Sequence, residues 1–183
     1  MDAFRFSLTD EEKAFLKDLV RLRIAGRLAG REPALPEPPT AKLREPHGAF
    51  VTLTLRGRLR GCIGHIVGDR PLFATIGDMA EAAAFGDPRF APLTREEFQD
   101  IAIEISVLSP LTPCPDPALV EVGRHGLLLR RGMRSGLLLP QVPVEWGWDR
   151  ETFLGQTCRK AGLEPGCWRH PDTAISWFEA EVF

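Results

Sequence analysis

Tyrosine is missing from this 183-residue chain and lysine is scarce, four against nineteen arginines, a bias that fits a GC-rich genome or a hot habitat equally well. Excess charge is missing too: 23 basic and 25 acidic side chains leave −2, with an isoelectric point near 6.1. A chain with no positive surplus exerts no global pull on phosphate backbones or anionic lipid, which counts against nucleic acid as a partner. No apolar run is long enough to span a bilayer and no secretory core is present, so a cytoplasmic protein without membrane contact is expected. The four cysteines, Cys62, Cys114, Cys158 and Cys167, form no CxxC pair, and reduced thiols are the expectation. Also lacking are a P-loop, a Ser-His-Asp order, a metal triad and the CxxxCxxC motif of a radical-SAM enzyme. Cys158, Cys167 and His170 fall short of a zinc site without a fourth ligand, so neither metal nor cofactor is implied.

What is present is ordinary for one globular domain over residues 1–183, with 44 % hydrophobic and 26 % charged residues. Thr9 and Glu12 make a capping box, and Phe15, Leu16, Leu19, Val20 and Ile24 follow at helical spacing, predicting a helix from Thr9 to about Leu28. Five prolines between Gly30 and Pro46 predict an extended loop. Pro71 opens a second helix that ends near Gly86, and Thr94 with Glu97 caps a short third one. Ile101 to Leu108 alternates as a strand: Ile101, Ile103, Ile105 and Val107 form one face, Ala102, Glu104 and Ser106 the other. His125–Arg131 and Arg134–Leu139 pair around a Gly132-Met133 loop. Asp149 caps a helix containing Phe153, Leu154, Thr157 and Cys158, and Thr173–Val182 reads as one closing strand. Helices at the ends and middle with hairpins between them specify α+β, a mostly antiparallel sheet of β-hairpins covered by helices.

The central hairpin holds the unusual composition. Val51, Leu53 and Leu55 alternate with Thr52, Thr54 and Arg56, and a Gly57-Arg58 loop then sets Leu53 opposite Cys62 and Val51 opposite Gly64. Arg60 and Cys62 accordingly share one face among aliphatic neighbours, where a guanidinium favours the thiolate and apolar burial opposes it. Gly61 and Gly64 admit a ligand or another backbone close to the main chain. Against a reactive Cys62 stands plain packing of a buried cysteine. Asp87-Pro88-Arg89-Phe90 is either a simple turn or a charged pair, Asp87 with Arg89, at the rim of a cleft. Glu104, flanked by small residues, is either solvated or a general base facing that cleft. His125 is either a hydrogen-bonded strand end or the imidazole that activates the thiol.

Leu59 to Gly64 reads LRGCIG, and with DPRF at 87–90, EISVLS at 104–109, GRHGL at 123–127, LLLPQVP at 137–143, WGWD at 146–149 and KAGL at 160–163 the chain resembles the AMMECR domain family over essentially its whole length. The resemblance implies the same α+β architecture with a small appended lobe. In prokaryotes such proteins are called AmmeMemoRadiSam system protein A, which implies Memo-like and radical-SAM protein partners. Two functional expectations follow. In the first, Cys62, with His125 and Glu104, performs thiol-dependent chemistry on a small molecule or partner-bound intermediate held by Arg60, Gly61, Gly64, Asp87 and Arg89. In the second, the chain is a non-catalytic accessory or protein-binding module.

Overall fold

The computed structural model describes residues 7–183 and divides into two units: the chain through Leu108 together with Glu181–Phe183, and Ser109–Ala180. In the first unit, α1 (Asp10–Leu28) starts at the Thr9–Glu12 capping box, with both reciprocal bonds made. β1 (Ala49–Leu55) and β2 (Arg58–His65) form the central hairpin, followed by α2 (Leu72–Glu81), α3 (Arg95–Asp100) and β3 (Ile101–Leu108). With β8 (Ala180–Val182) they give the sheet order β2-β1-β3-β8. One face of that sheet carries Ala49, Val51, Leu53, Ile105 and Val107. They pack with Leu16, Val20 and Ile24 of α1 and Leu72, Ile76 and Ala80 of α2. Each valine, leucine or isoleucine among them, fully removed from water, contributes about 1.5–3 kcal/mol before conformational entropy is subtracted.

The second helix does not end where its α-helical pattern does. After Glu81 it widens into a π-helical turn, Ala82–Gly86, and three alanines in that turn let it settle against the hairpin. Such turns are frequent at functional sites.

In the second unit, β4 (Thr112–Pro113), β5 (Gly126–Arg131), β6 (Arg134–Leu138) and β7 (Ala174–Phe178) make a sheet of order β4-β7-β5-β6. The Gly132-Met133 loop is as expected, with Arg131 opposite Arg134 and Gly132 at positive φ. The short α4 (Gln141–Glu145), where only a strand end was expected, tolerates Pro143 because the first turn of a helix has no use for its N–H. α5 (Arg150–Lys160) is capped by the Asp149 carboxylate, which accepts from the Thr152 N–H. The single closing strand predicted over Thr173–Val182 is instead two: β7 joins the second sheet and β8 the first. Each sheet sets a glycine opposite an aromatic residue. The Phe50 ring lies over Gly64 and the Phe178 ring over Gly126, so a Cβ at either glycine would fall 2.2 Å from ring carbon.

Reduced thiols were expected throughout, and here the structure corrects the sequence: Cys158 of α5 and Cys167 are joined in a disulfide, buried with Phe153, Leu154 and Trp177. Closing a loop of this length removes denatured-state freedom worth about 2.5 kcal/mol. Cys158→Ser with Cys167→Ser is therefore expected to lower stability by about that much, and dithiothreitol should lower the melting midpoint of the parent but not of the double variant. Among the described residues no helix is long and apolar enough to cross a membrane.

Candidate functional site

The central hairpin is not in the register that a Gly57-Arg58 loop would set. The hairpin turns on Arg56 and Gly57, both at positive φ (52° and 75°), so that Leu55 faces Arg58. Arg60 is then an extra residue in a bulge, and beyond it Leu53 faces Gly61, Thr52 faces Cys62 and Phe50 faces Gly64. Because side chains alternate with a period of two, this one-residue slip puts Cys62 beside threonine rather than among the aliphatic side chains. The row continues onto β3, where Thr52 faces Glu104. Cys62, Thr52 and Glu104 thus stand side by side on the face opposite the core, each half-buried.

The Thr52 hydroxyl donates to Cys62 Sγ at 3.2 Å. Burial pushes the Cys62 thiol above its ordinary range; the Thr52 bond and the Arg89 charge oppose the rise, and the Asp87 and Glu104 carboxylates add to it. The sulfur is therefore a neutral thiol at physiological pH.

Arg60 is not the arginine that acts on the thiol. Its guanidinium forks onto Glu97, Nε to Oε1 at 2.9 Å and Nη2 to Oε2 at 2.8 Å, and lies 5.8 Å from the Phe90 ring centroid. Those bonds hold the Glu97 carboxyl down at about 2. Glu97 also accepts from the Thr94 N–H as the third helical residue of a capping box, so it fastens α3 and the bulge together.

The arginine that does reach Cys62 is Arg89, through the main chain. Asp87 is 4 % exposed, and Oδ2 accepts from the Cys62 N–H at 2.9 Å. Arg89 donates to Asp87 through Nε (2.9 Å) and Nη2 (2.7 Å), and Nη2 also donates to the Cys62 carbonyl at 3.3 Å. The bonds from Arg89 hold the Asp87 carboxyl well below the usual carboxylate range. DPRF makes the turn that the plainer reading expects, and its charged pair is turned onto the main chain of Cys62. Phe90 N–H closes a turn onto the Asp87 carbonyl, and the Asp87–Arg89 pair clamps both polar groups of one peptide residue.

The glycines have occupants. A Cβ at Gly61 would fall 2.1 Å from the Ala83 carbonyl oxygen of the π-helical turn, so another backbone fills that space; the Phe50 ring fills the space over Gly64.

His125 belongs to the second unit. It is 6 % exposed, its Nδ1 accepts from the Glu121 N–H at 3.0 Å, and its ring stacks on Trp177 with centroids 4.3 Å apart. Burial, helped by Arg124, holds it below the ordinary histidine range, so it is neutral with its proton on Nε2. The groups acting on the Cys62 sulfur are Thr52, Arg89, Asp87 and Glu104, without His125. Sequence reasoning missed Thr52 because of the register slip, and it counted Glu97 only as a cap. Among the described residues no three histidine, cysteine or acidic side chains cluster to hold a metal ion.

Comparison with known proteins gives one family. The AMMECR1 family model matches residues 18–183. A protein of Methanothermobacter thermautotrophicus is 43 % identical over 183 residues, covering 96 % of this chain and 95 % of that one. Protein MK0488 of Methanopyrus kandleri is 46 % identical over 185 residues, covering 96 % and 89 %. The crystal structure of the uncharacterized protein PH0010 from Pyrococcus horikoshii superposes with a TM-score of 0.92 at 42 % identity, covering 97 % of this chain and 93 % of that one. The chain belongs to the AMMECR1 family.

Proposed function

We propose that this protein is a cytoplasmic, non-catalytic accessory module that presents the Cys62 face of its first sheet to a partner. The partners expected are Memo-like and radical-SAM proteins, on the strength of the chain's resemblance to AmmeMemoRadiSam system protein A. One observation carries the reading: the charged residues of the central motifs are engaged in holding the main chain and its neighbours. Asp87 and Arg89 clamp the Cys62 peptide, Arg60 is forked onto Glu97, and the thiol between them is kept protonated. A thiolate nucleophile needs the opposite electrostatics.

Alkylation tests this directly. In a Cys114→Ser background, Cys62 should react with iodoacetamide more slowly than a free cysteine at pH 7.5, with a midpoint above the ordinary thiol value of about 8.5. Glu104→Gln should lower that midpoint and Arg89→Gln should raise it, because each removes a charge acting on the sulfur. A fast reaction with an acid-shifted midpoint would sink the non-catalytic reading. Co-purification with the two partners tests the assignment separately, and capture by neither withdraws it.

The row of Cys62, Thr52 and Glu104 favours one other reading, thiol-dependent chemistry in which Glu104 takes the sulfur's proton once a ligand is bound. The fast, acid-shifted alkylation just described is the result that would put it in place of the first.

A further inference from the structure

The second unit contains an open groove of about 410 Å³, within the range of small-molecule sites. One wall is a stripe of α5, Thr152, Gln156 and Arg159, spaced to lie on one helix face. The other is the turn Pro165–Arg169. The Cys158–Cys167 disulfide ties the two walls together from behind. Glu164 is held by a two-pronged bond from Arg131, both contacts at 2.8 Å. The turn is thus set before any ligand arrives, which lowers the ordering cost of binding.

The charges in the groove are uneven. Arg169 lies on the Trp168 ring, 3.9 Å from its centroid, and pairs with Glu151 at 3.0 Å. Arg159 has no side-chain partner among the described residues. Two guanidiniums and one carboxylate leave one net positive charge, suited to a monoanion. Pro165 and the open part of Trp168 supply apolar surface beside it, and Gln156 and Thr152 supply hydrogen bonds. A guanidinium fork matches the two oxygens of a carboxylate.

We infer that this groove binds a small organic carboxylate, its anionic end forked by Arg159 and its apolar body against Trp168 and Pro165. The test is a titration of the intact ¹⁵N-labelled chain with benzoate, following Arg159 Nε–H and the Trp168 indole N–H, with the exposed Trp146 indole as reference. Both reporters should shift along one saturable curve, and Arg159→Gln should weaken binding at least tenfold. Gly166 offers a second variant. It has an ordinary φ of −85° and no atom within 4 Å of where a Cβ would stand, so Gly166→Glu puts a competing carboxylate at the groove without disturbing the fold, and should weaken binding as much. Shifts that never saturate, or that Trp146 shares, overturn the inference. So does inorganic phosphate moving Arg159 as far as benzoate does while Trp168 stays still, which is the pattern of bare ion pairing.

Discussion

Gly61→Ala should destabilise the first unit by at least about 3 kcal/mol, the upper range for forcing extra volume into a packed site. The new methyl would lie 2.1 Å from the Ala83 carbonyl oxygen, a backbone atom that can retreat only by moving the π-helical turn or the strand. Gly86→Ala, three residues beyond Ala83 in the same turn, is the matched control: nothing lies within 4 Å of its Cβ, and its effect should stay within about 0.5 kcal/mol. Urea unfolding followed by circular dichroism measures both. Equal midpoints for the two variants would mean that strand and turn are not in contact as described.

Asp87→Ala should cost about 3–4 kcal/mol. It leaves the Cys62 N–H without its acceptor and removes the charge-assisted bonds from Arg89. Asp87→Asn, which retains an acceptor, should cost roughly half of that. The pH dependence has a definite sign. Because the folded carboxyl titrates below its unfolded value of about 3.9, its contribution is complete above that value and is lost as the pH falls toward the folded one. Glu97, at about 2 in the folded protein, acts in the same direction. The parent should therefore lose stability on acidification below about pH 4 more steeply than Asp87→Asn, and the two curves should converge at the acid end. Parallel acid limbs would show that the clamp carries no such free energy.

Much of the architecture was legible because its signals are local. Both capping boxes, at Thr9 and Thr94, start helices where Ser/Thr-x-x-Glu spacing says they should. Gly132-Met133 turns its hairpin because glycine at the first loop position is the chemistry that turn needs. The central hairpin defeated the same rule. Arg56 takes a positive φ that only asparagine, aspartate or glycine ordinarily announces, and Arg60 bulges out four residues later, so pairing beyond it slipped by one. That slip moved Cys62 onto the threonine face and hid Thr52 as its partner. The fold class survived because it depends on how many hairpins there are, whereas the site depended on which residues face each other. Long-range ties were beyond sequence reasoning for a different reason. Neither the spacing of Cys158 and Cys167 nor the alternation across Thr173–Val182 says which distant partner a side chain or strand meets.

The clamp on Cys62 has one more effect. β2 is an outermost strand, and such strands normally offer unspent N–H and C=O groups on which a second molecule can stack. At Cys62 both groups are already taken by Asp87 and Arg89, so a neighbouring chain trying to extend the ladder there finds no donor or acceptor waiting. The pair that fixes the thiol's backbone thereby guards the protein against polymerising through its own border.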